Sequence, residues 1–216
     1  MAPTLYLVRH GESVFNAQGR IQGQTCAGLT AQGHDQARAV AAALAARLDG
    51  AVRLVTSDLR RTRETAAPLT ELLGVGATVE PGLRERSCGR WEGALPADLI
   101  RDEPELWARW RAKEDVLGEV GGESVPVLTA RVQPVLAELL ATTPSDGATI
   151  AVTHGGPTWY GTHALLGLAV GVLSRPGNAA ICEVVQQDDG PQLRTWNERG
   201  HLHRWTTAAE GGVVLP

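Results

Sequence analysis

The sequence predicts an α/β protein of the doubly wound kind, a three-layer α/β/α arrangement whose mainly parallel sheet carries a small cap insertion. Three observations lead there. Short apolar runs end in turn residues at several points of the chain, and segments with apolar residues at helical spacing fall between them. Two of the runs also deliver a histidine and a glycine into their turns, "LVRHG" and "VTHGG". Strands that alternate with helices pair in parallel, and ligands bind at the strand ends of such sheets.

The first strand is "LYLVRHGES", residues 5–13, an apolar run that meets its turn at glycine and places Arg9 and His10 where strand gives way to loop. A helix follows, with Thr30 as its N-cap and Ala37, Val40, Ala41, Leu44 and Leu48 on its apolar face. "VRLVTS", 52–57, reads as the second strand, and "RRTRETAAPLTELLG" as a helix ended by Gly74, with a kink expected at Pro68. "ATVE" from Ala77 continues the alternation. From 82 to 122 the pattern loosens around one helix at "ELWARWRAK", the composition of a cap or lid. Ser124 then caps a helix with Val125, Leu128, Val132, Val135, Leu136 and Leu139 on one face, weakened by Pro126 and kinked at Pro134. "ATIAVTHGG", 148–156, repeats the opening design and leads into a helix from Pro157. Two strands, "AAICEVV" from Ala179 and "QLRTW" from Gln192, are separated by the turn residues "DDGP", and the last ten residues read as loose.

The 216 residues, 43% of them hydrophobic, suffice for one sizeable core, so a single domain over 1–216 with a cap-like insertion at about 82–122 is expected. A net charge of −4 argues against a general binder of nucleic acid or anionic membranes. Any positive site must therefore be focused. Lys113 is the only lysine, and in so arginine-biased a chain a single arginine says little without its spacing. Cys26, Cys88 and Cys182 are odd in number and show no CxxC spacing, which suggests neither a disulfide framework nor a zinc site. The start lacks the pattern of a signal peptide, and "HALLGLAVGVL" from His163 is too short to span a bilayer. A soluble protein in a reducing, cytoplasmic setting fits these features. The oligomeric state is not legible.

Taking a phosphoryl group onto a side chain requires a nucleophile, cations for the phosphoryl oxygens and an acid for the leaving oxygen. His10 suits the first role, because an imidazole with pKa near ~6.5 is largely unprotonated at neutral pH. Arg9 beside it can bind phosphate through paired charge-assisted hydrogen bonds. "SDLRRTRETA", 57–66, offers a second cation at the same end of the sheet, and His154 completes a cationic ring. Glu85 in "LRERSCGRWEG" is placed to protonate the leaving oxygen and then deprotonate water. No step calls for a metal or another cofactor. Each residue has a plainer reading. A single strand-end histidine is more often structural, and it is the paired contexts of His10 and His154 that favour function. Arg60, Arg63, Arg84, Arg86 and Arg90 read as a solvated or rim set. Trp107 and Trp110 most simply pack their helix against the body, with a pocket wall as the alternative. His201 and His203 lack a third metal ligand, His34 and His163 lack a motif, and Cys88 lacks the base that a thiol nucleophile needs.

Together these residues resemble the histidine phosphatase superfamily, the phosphoglycerate mutase-like branch 1, over nearly the whole chain. The resemblance rests on "RHGES" with Asn16 and "GRIQG" following, "LTAQG" at 29–33, "SDLRRTRETA", "LRERSCGRWEG", "GGES" at 121–124 and "VTHGG", six boxes in order. It implies that His10 is the phosphorylated histidine, that Arg9, Arg61 and His154 bind phosphate, and that Glu85 is the general acid and base. Arg61 is singled out among its neighbours because the family pattern runs Ser, any residue, Leu, any residue, Arg. Asn16, Gln22 and the backbone of Gly155 become supplementary ligands. The implied activity is a metal-independent phosphatase acting on a small phosphorylated metabolite. The run from "SDLRRTRETA" through "WNERG" is similar to that of actinobacterial glucosyl-3-phosphoglycerate phosphatases, while sugar phosphates, α-ribazole phosphate and nucleotide-derived esters stay open. A mutase, or a relative that binds phospho-ligands without turnover, is the alternative. The chain departs from "QGxxDxPLT" with Cys26 and Gly28, which puts leaving-group specificity in doubt. "ERSCGRWEG" lacks the tyrosine-containing box of mutases, and its short connection to "GGES" points to the phosphatase side.

Overall fold

The computed structural model describes residues 2–25 and 27–202, so Cys26, His203 and the tail expected to be loose lie outside the described residues. Its six strands are β1 (Thr4–Arg9), β2 (Val52–Thr56), β3 (Ala77–Val79), β4 (Ala148–Thr153), β5 (Ile181–Gln187) and β6 (Gly190–Glu198), ordered β3-β2-β4-β1-β5-β6 across one sheet. The first four run parallel, and the last two add an antiparallel hairpin beside β1. The helices are α1 (Val14–Ala17), α2 (Ala31–Ala45), α3 (Arg60–Leu73), α4 (Pro96–Asp102), α5 (Pro104–Arg111), α6 (Val125–Ala141) and α7 (Gly155–Leu165).

Period-two alternation divides the core into two slabs. Tyr6 and Val8 of β1 face α2 and α3, packing with Val40, Leu44 and Leu69, while Leu5 and Leu7 face the other way, onto Leu128, Val132 and Leu136 of α6 and Tyr160 of α7. Helices on both faces explain why β4 is buried along its whole length, with no polar alternation for a reader of the sequence to detect. The expected caps are present: Thr30 accepts from the Gly33 N–H, Ser124 from the Val127 N–H, and Gly74 closes α3 at φ 68°.

Several boundaries differ from expectation for local reasons. The insertion holds two helices rather than one, because Pro104 disfavours helical backbone at Glu103, which takes φ −139° and ψ 55° between α4 and α5. The short α1 carries too few residues to show a period. α7 starts at Gly155, two residues before Pro157, since proline lacks only an N–H that the first turn leaves without a helical acceptor. β5 begins at Ile181 because Ala179 sits at φ 56°, outside the strand region. The hairpin turn is confined to Asp188 and Asp189, and Pro191 belongs to β6, tolerated there because that strand is at the edge. α3 and α6 each continue as one element through Pro68 and Pro134.

The insertion has an apolar centre of its own. Trp91, Trp107 and Trp110 form a triangle of rings, Trp91 at 6.3 and 5.6 Å from the other two and those 5.1 Å apart, and Ile21, Leu99, Val116, Leu117 and Val120 close around them. Trp107 and Trp110 are therefore packing residues within the insertion. The Trp91 indole N–H donates to Glu103 at 3.0 Å, so this fully buried ring is satisfied at its polar edge as well. Trp91→Ala should cost about 3–5 kcal/mol in urea unfolding, as expected for truncating a buried large side chain.

Candidate active site

The sheet's register builds the site. Arg9 of β1 lies opposite Thr153 of β4, so the next residues, His10 and His154, emerge side by side from adjacent parallel strands. The ladder continues one step beyond the strands, with the His10 N–H donating to Thr153 O and the Ser57 N–H, after β2, donating to Val152 O, both at 3.0 Å. Neighbouring strands lie about 4.8 Å apart, and the two imidazole centroids are 5.3 Å apart, edge to face.

Hydrogen bonds define which nitrogen of each ring carries its proton. His10 Nδ1 is 2.7 Å from the Gly11 carbonyl, which can only accept, so the proton is on Nδ1 and the Nε2 lone pair is available. In His154 the order reverses: Arg61 Nε donates to Nδ1 at 3.1 Å, which leaves the proton on Nε2, 3.0 Å from Ser57 Oγ. Burial, with Arg61 and Arg9 nearby, holds both imidazoles well below the ordinary histidine pKa. His154 is accordingly a neutral imidazole in the structure, which corrects the expected ring of cations to a pair of arginines with a neutral ring between them.

Arg61 is fully buried in the first turn of α3, and its Nη2 and Nη1 donate to the Gly23 and Thr25 carbonyls at 2.8 and 3.1 Å. Arg9 donates from Nη1 to Pro176 O at 2.7 Å, and burial lowers its pKa to about 10, partly offset by Glu85. Its Nε is buried without a hydrogen-bond partner among the described residues. Glu85 reaches across from the start of the insertion to the N-terminus of α7, where it accepts from the Gly156 N–H at 3.0 Å and from the Arg86 N–H at 2.8 Å. Only glycine permits that approach, since a Cβ on residue 156 would stand 2.3 Å from Glu85 Oε1. Gly155 opens the same helix. The Gln22 and Asn16 side-chain oxygens both lie 3.0 Å from Ser13 Oγ, and Asn178 also donates to Asn16 at 3.0 Å. Gln22 Nε2 is a second buried donor without a hydrogen-bond partner among the described residues.

The structure thus brings Arg9, His10, Arg61, Glu85, His154 and Gly155 together at one end of the sheet, with Asn16 and Gln22 linked through Ser13 in the loop after β1. It also shows supports that sequence reasoning missed. Ser57 meets His154, Thr65 accepts from the Gly11 N–H at 3.1 Å, and Asn178 donates to the carbonyls of His10 and Gly11 at 3.2 and 3.3 Å. Arg131 of α6 donates to the carbonyls of Gly82, Arg84 and Glu85 and pairs with Glu123, whose carboxylate accepts from the Ser87 N–H. Ser57 and Thr65 stood inside a quoted box and Glu123 inside another, but only the fold shows what they touch.

Most of the supposed rim arginines have carboxylate partners: Arg60 with Glu64, Arg84 with Asp58, Arg90 with Glu103. Arg86 is an exception to the solvated reading, since its side chain is 11% exposed, donates to Glu123 O at 2.7 Å and pairs with Asp115. Arg60 and Glu64 also explain how Gly28 is accommodated: the Glu64 carboxylate accepts from the Leu29 N–H at 2.7 Å, and a Cβ on residue 28 would meet it at 2.9 Å. Burial pushes the Cys88 thiol up to about 12, far from a thiolate nucleophile. His163 and His201 are bonded to the backbone carbonyls of Trp159 and Ala179. No helix among the described residues is long and apolar enough to cross a membrane.

Comparison with known proteins agrees with this geometry. The family model described as histidine phosphatase superfamily (branch 1) matches residues 5–199. The glucosyl-3-phosphoglycerate phosphatase of Mycobacterium tuberculosis is 35% identical over 189 residues, covering 83% of each chain. A probable phosphoglycerate mutase of Enterobacter sp. (strain 638) is 40% identical over 152 residues, 70% of this chain and 69% of the other. The solved structure of a mycobacterial glucosyl-3-phosphoglycerate phosphatase with VO3 superposes with a TM-score of 0.81 at 34% identity, covering 91% of this chain and 99% of that one. This chain belongs to branch 1 of the histidine phosphatase superfamily and is a hydrolase of that family.

Proposed function

We propose that this chain is a metal-independent phosphatase that hydrolyses a small phosphomonoester metabolite through a phosphohistidine at His10. The observation that carries the reading is the state of that ring: neutral, with Nδ1–H held by the Gly11 carbonyl and the Nε2 lone pair left available. In the first step Nε2 attacks phosphorus, the ester P–O bond breaks, and the leaving oxygen takes a proton from the Glu85 carboxyl group. In the second, water attacks phosphorus and gives a proton to the Glu85 carboxylate. The P–N bond then breaks and its electron pair returns to Nε2. Arg9 and Arg61 supply positive charge for the phosphoryl oxygens. His154, its Nδ1 occupied as the acceptor for Arg61, offers a neutral Nε2–H donor beside the same group. Gln22 Nε2 and Arg9 Nε, two of the buried side-chain atoms without a hydrogen-bond partner among the described residues, suit further oxygens of the same group, with Asn16 and the Gly155 N–H as supplementary ligands.

For the substrate we favour a sugar phosphate or glucosyl-3-phosphoglycerate, because the mycobacterial phosphatases named for the latter resemble this chain over most of its length. A reducing, cytoplasmic setting suits the buried free thiols of Cys88 and Cys182. The match to a probable phosphoglycerate mutase gives a specific reason to keep isomerisation as the second reading.

A panel of phosphorylated metabolites should release phosphate without added metal, chelator should leave the rate intact, and vanadate should inhibit. His10→Ala should abolish turnover and with it an acid-labile phosphoenzyme, and a label persisting in that variant would place the nucleophile elsewhere. Incubation with 3-phosphoglycerate and a trace of 2,3-bisphosphoglycerate should give little 2-phosphoglycerate. Interconversion faster than phosphate release on every ester tried would replace the phosphatase reading with the mutase. The depressed pKa values of His10 and His154 also set a stability profile. Below about pH 6.5 the unfolded chain binds protons that the folded one refuses, so stability is full above that pH and falls as pH drops further. Melting temperatures across pH 4–8 should show this acid-side loss, and a variant lacking both rings should show less of it.

A further inference from the structure

Arg61 is a long side chain at the start of a helix, and two of its nitrogens donate to carbonyls of the stretch 23–25. That stretch belongs to no helix or strand, so no ladder of its own fixes those carbonyls. The carboxylate of Glu92 ties it down instead. Oε1 accepts from the Gln24 N–H at 2.9 Å, the Cys88 N–H at 3.0 Å and Ser87 Oγ at 3.3 Å, while Oε2 accepts from Thr25 Oγ1 at 2.6 Å. The Gln24 N–H lies in sequence between the two carbonyls that Arg61 uses. Gly23 makes the approach possible: it sits at φ 55°, and a Cβ there would fall 2.4 Å from Glu92 Oε1. The same stretch reaches the proposed acid, since Gln24 Nε2 donates to Glu85 O at 3.0 Å. One carboxylate therefore links the insertion just after Glu85 with the loop that cradles Arg61.

Resting on the reading of Arg61 as a phosphate ligand, we propose that Glu92 is a positioning residue that sets the Arg61 guanidinium against the phosphoryl group and keeps it in register with Glu85. Burial raises the pKa of its carboxyl group, but the hydrogen bonds from Thr25, Gln24 and Cys88 outweigh that and hold it below the usual value, so it remains an ionised acceptor at neutral pH. A tie that served the fold alone would lower stability without acting through Arg61.

The test is calorimetric binding of inorganic phosphate to the parent, Arg61→Ala, Glu92→Ala and the double variant, with melting temperatures alongside. Each single change should weaken phosphate by about tenfold, the loss expected when a hydrogen-bonded charged group is removed or misplaced. The double variant should match Arg61→Ala to within about twofold, because Glu92 then has no guanidinium left to position. Additive losses, or unchanged affinity in Glu92→Ala, overturn the proposal while leaving Arg61 as a ligand. If Arg61→Ala binds phosphate as the parent does, the functional reading fails and this proposal with it. Should Glu92→Ala not fold, Glu92→Gln decides. It keeps Oε1 as an acceptor but removes the charge, and should weaken phosphate roughly two- to fivefold, an effect absent on the Arg61→Ala background. Parental affinity in Glu92→Gln overturns the proposal.

Discussion

The buried guanidinium of Arg61 is the point on which the site depends. A charge taken out of water must find hydrogen-bond partners for its donors, and here Nε, Nη1 and Nη2 donate to an imidazole and two carbonyls. These three acceptors are neutral, and they fix the geometry of the group. One side chain thereby joins the start of α3, the end of β4 and the loop before α2, and the same bond that orients His154 selects its tautomer.

Much of this was legible in the sequence because the backbone itself performs the alignment. "LVRHG" and "VTHGG" read as strand ends from their apolar runs, and parallel pairing in register makes neighbours of His10 and His154. Arg61 could be chosen from a crowded arginine run only through the family pattern, since local spacing does not separate it from Arg60 or Arg63. Helix caps at Thr30 and Ser124 were also readable, being interactions between residues three apart.

What was not legible depends on contacts distant in sequence or on the ionisation that burial imposes. Nothing local announces that Arg131 holds the carbonyl of Glu85, 46 residues away, or that Asn178 reaches Gly11 across 167 residues. The neutrality of His154 escaped for the second reason: an isolated imidazole beside two arginines invites a cationic reading, whereas desolvation and those same arginines oppose the proton. The break between α4 and α5 was local and visible in principle, at the residue before Pro104.

The separate apolar centre around Trp91 gives the chain an architectural division of labour. Arg9, His10 and His154, proposed to meet a phosphoryl group, hang from the ends of β1 and β4, whose register is held by backbone pairing and by two slabs of aliphatic packing. Most of the insertion's buried apolar side chains pack in the separate cluster around Trp91, joined by Ile21 of the stretch after α1. Residues on the insertion's surface can therefore change without shifting a strand by one position. The seam between the insertion and the rest of the chain includes the bonds at Glu85, Glu92 and Arg131, the Arg84–Asp58 pair, the Thr153 hydroxyl on the Leu83 carbonyl, and the backbone bonds between Ile21 and residues 93 and 94. Divergence should be least tolerated along that seam, where a change on either side is felt on both.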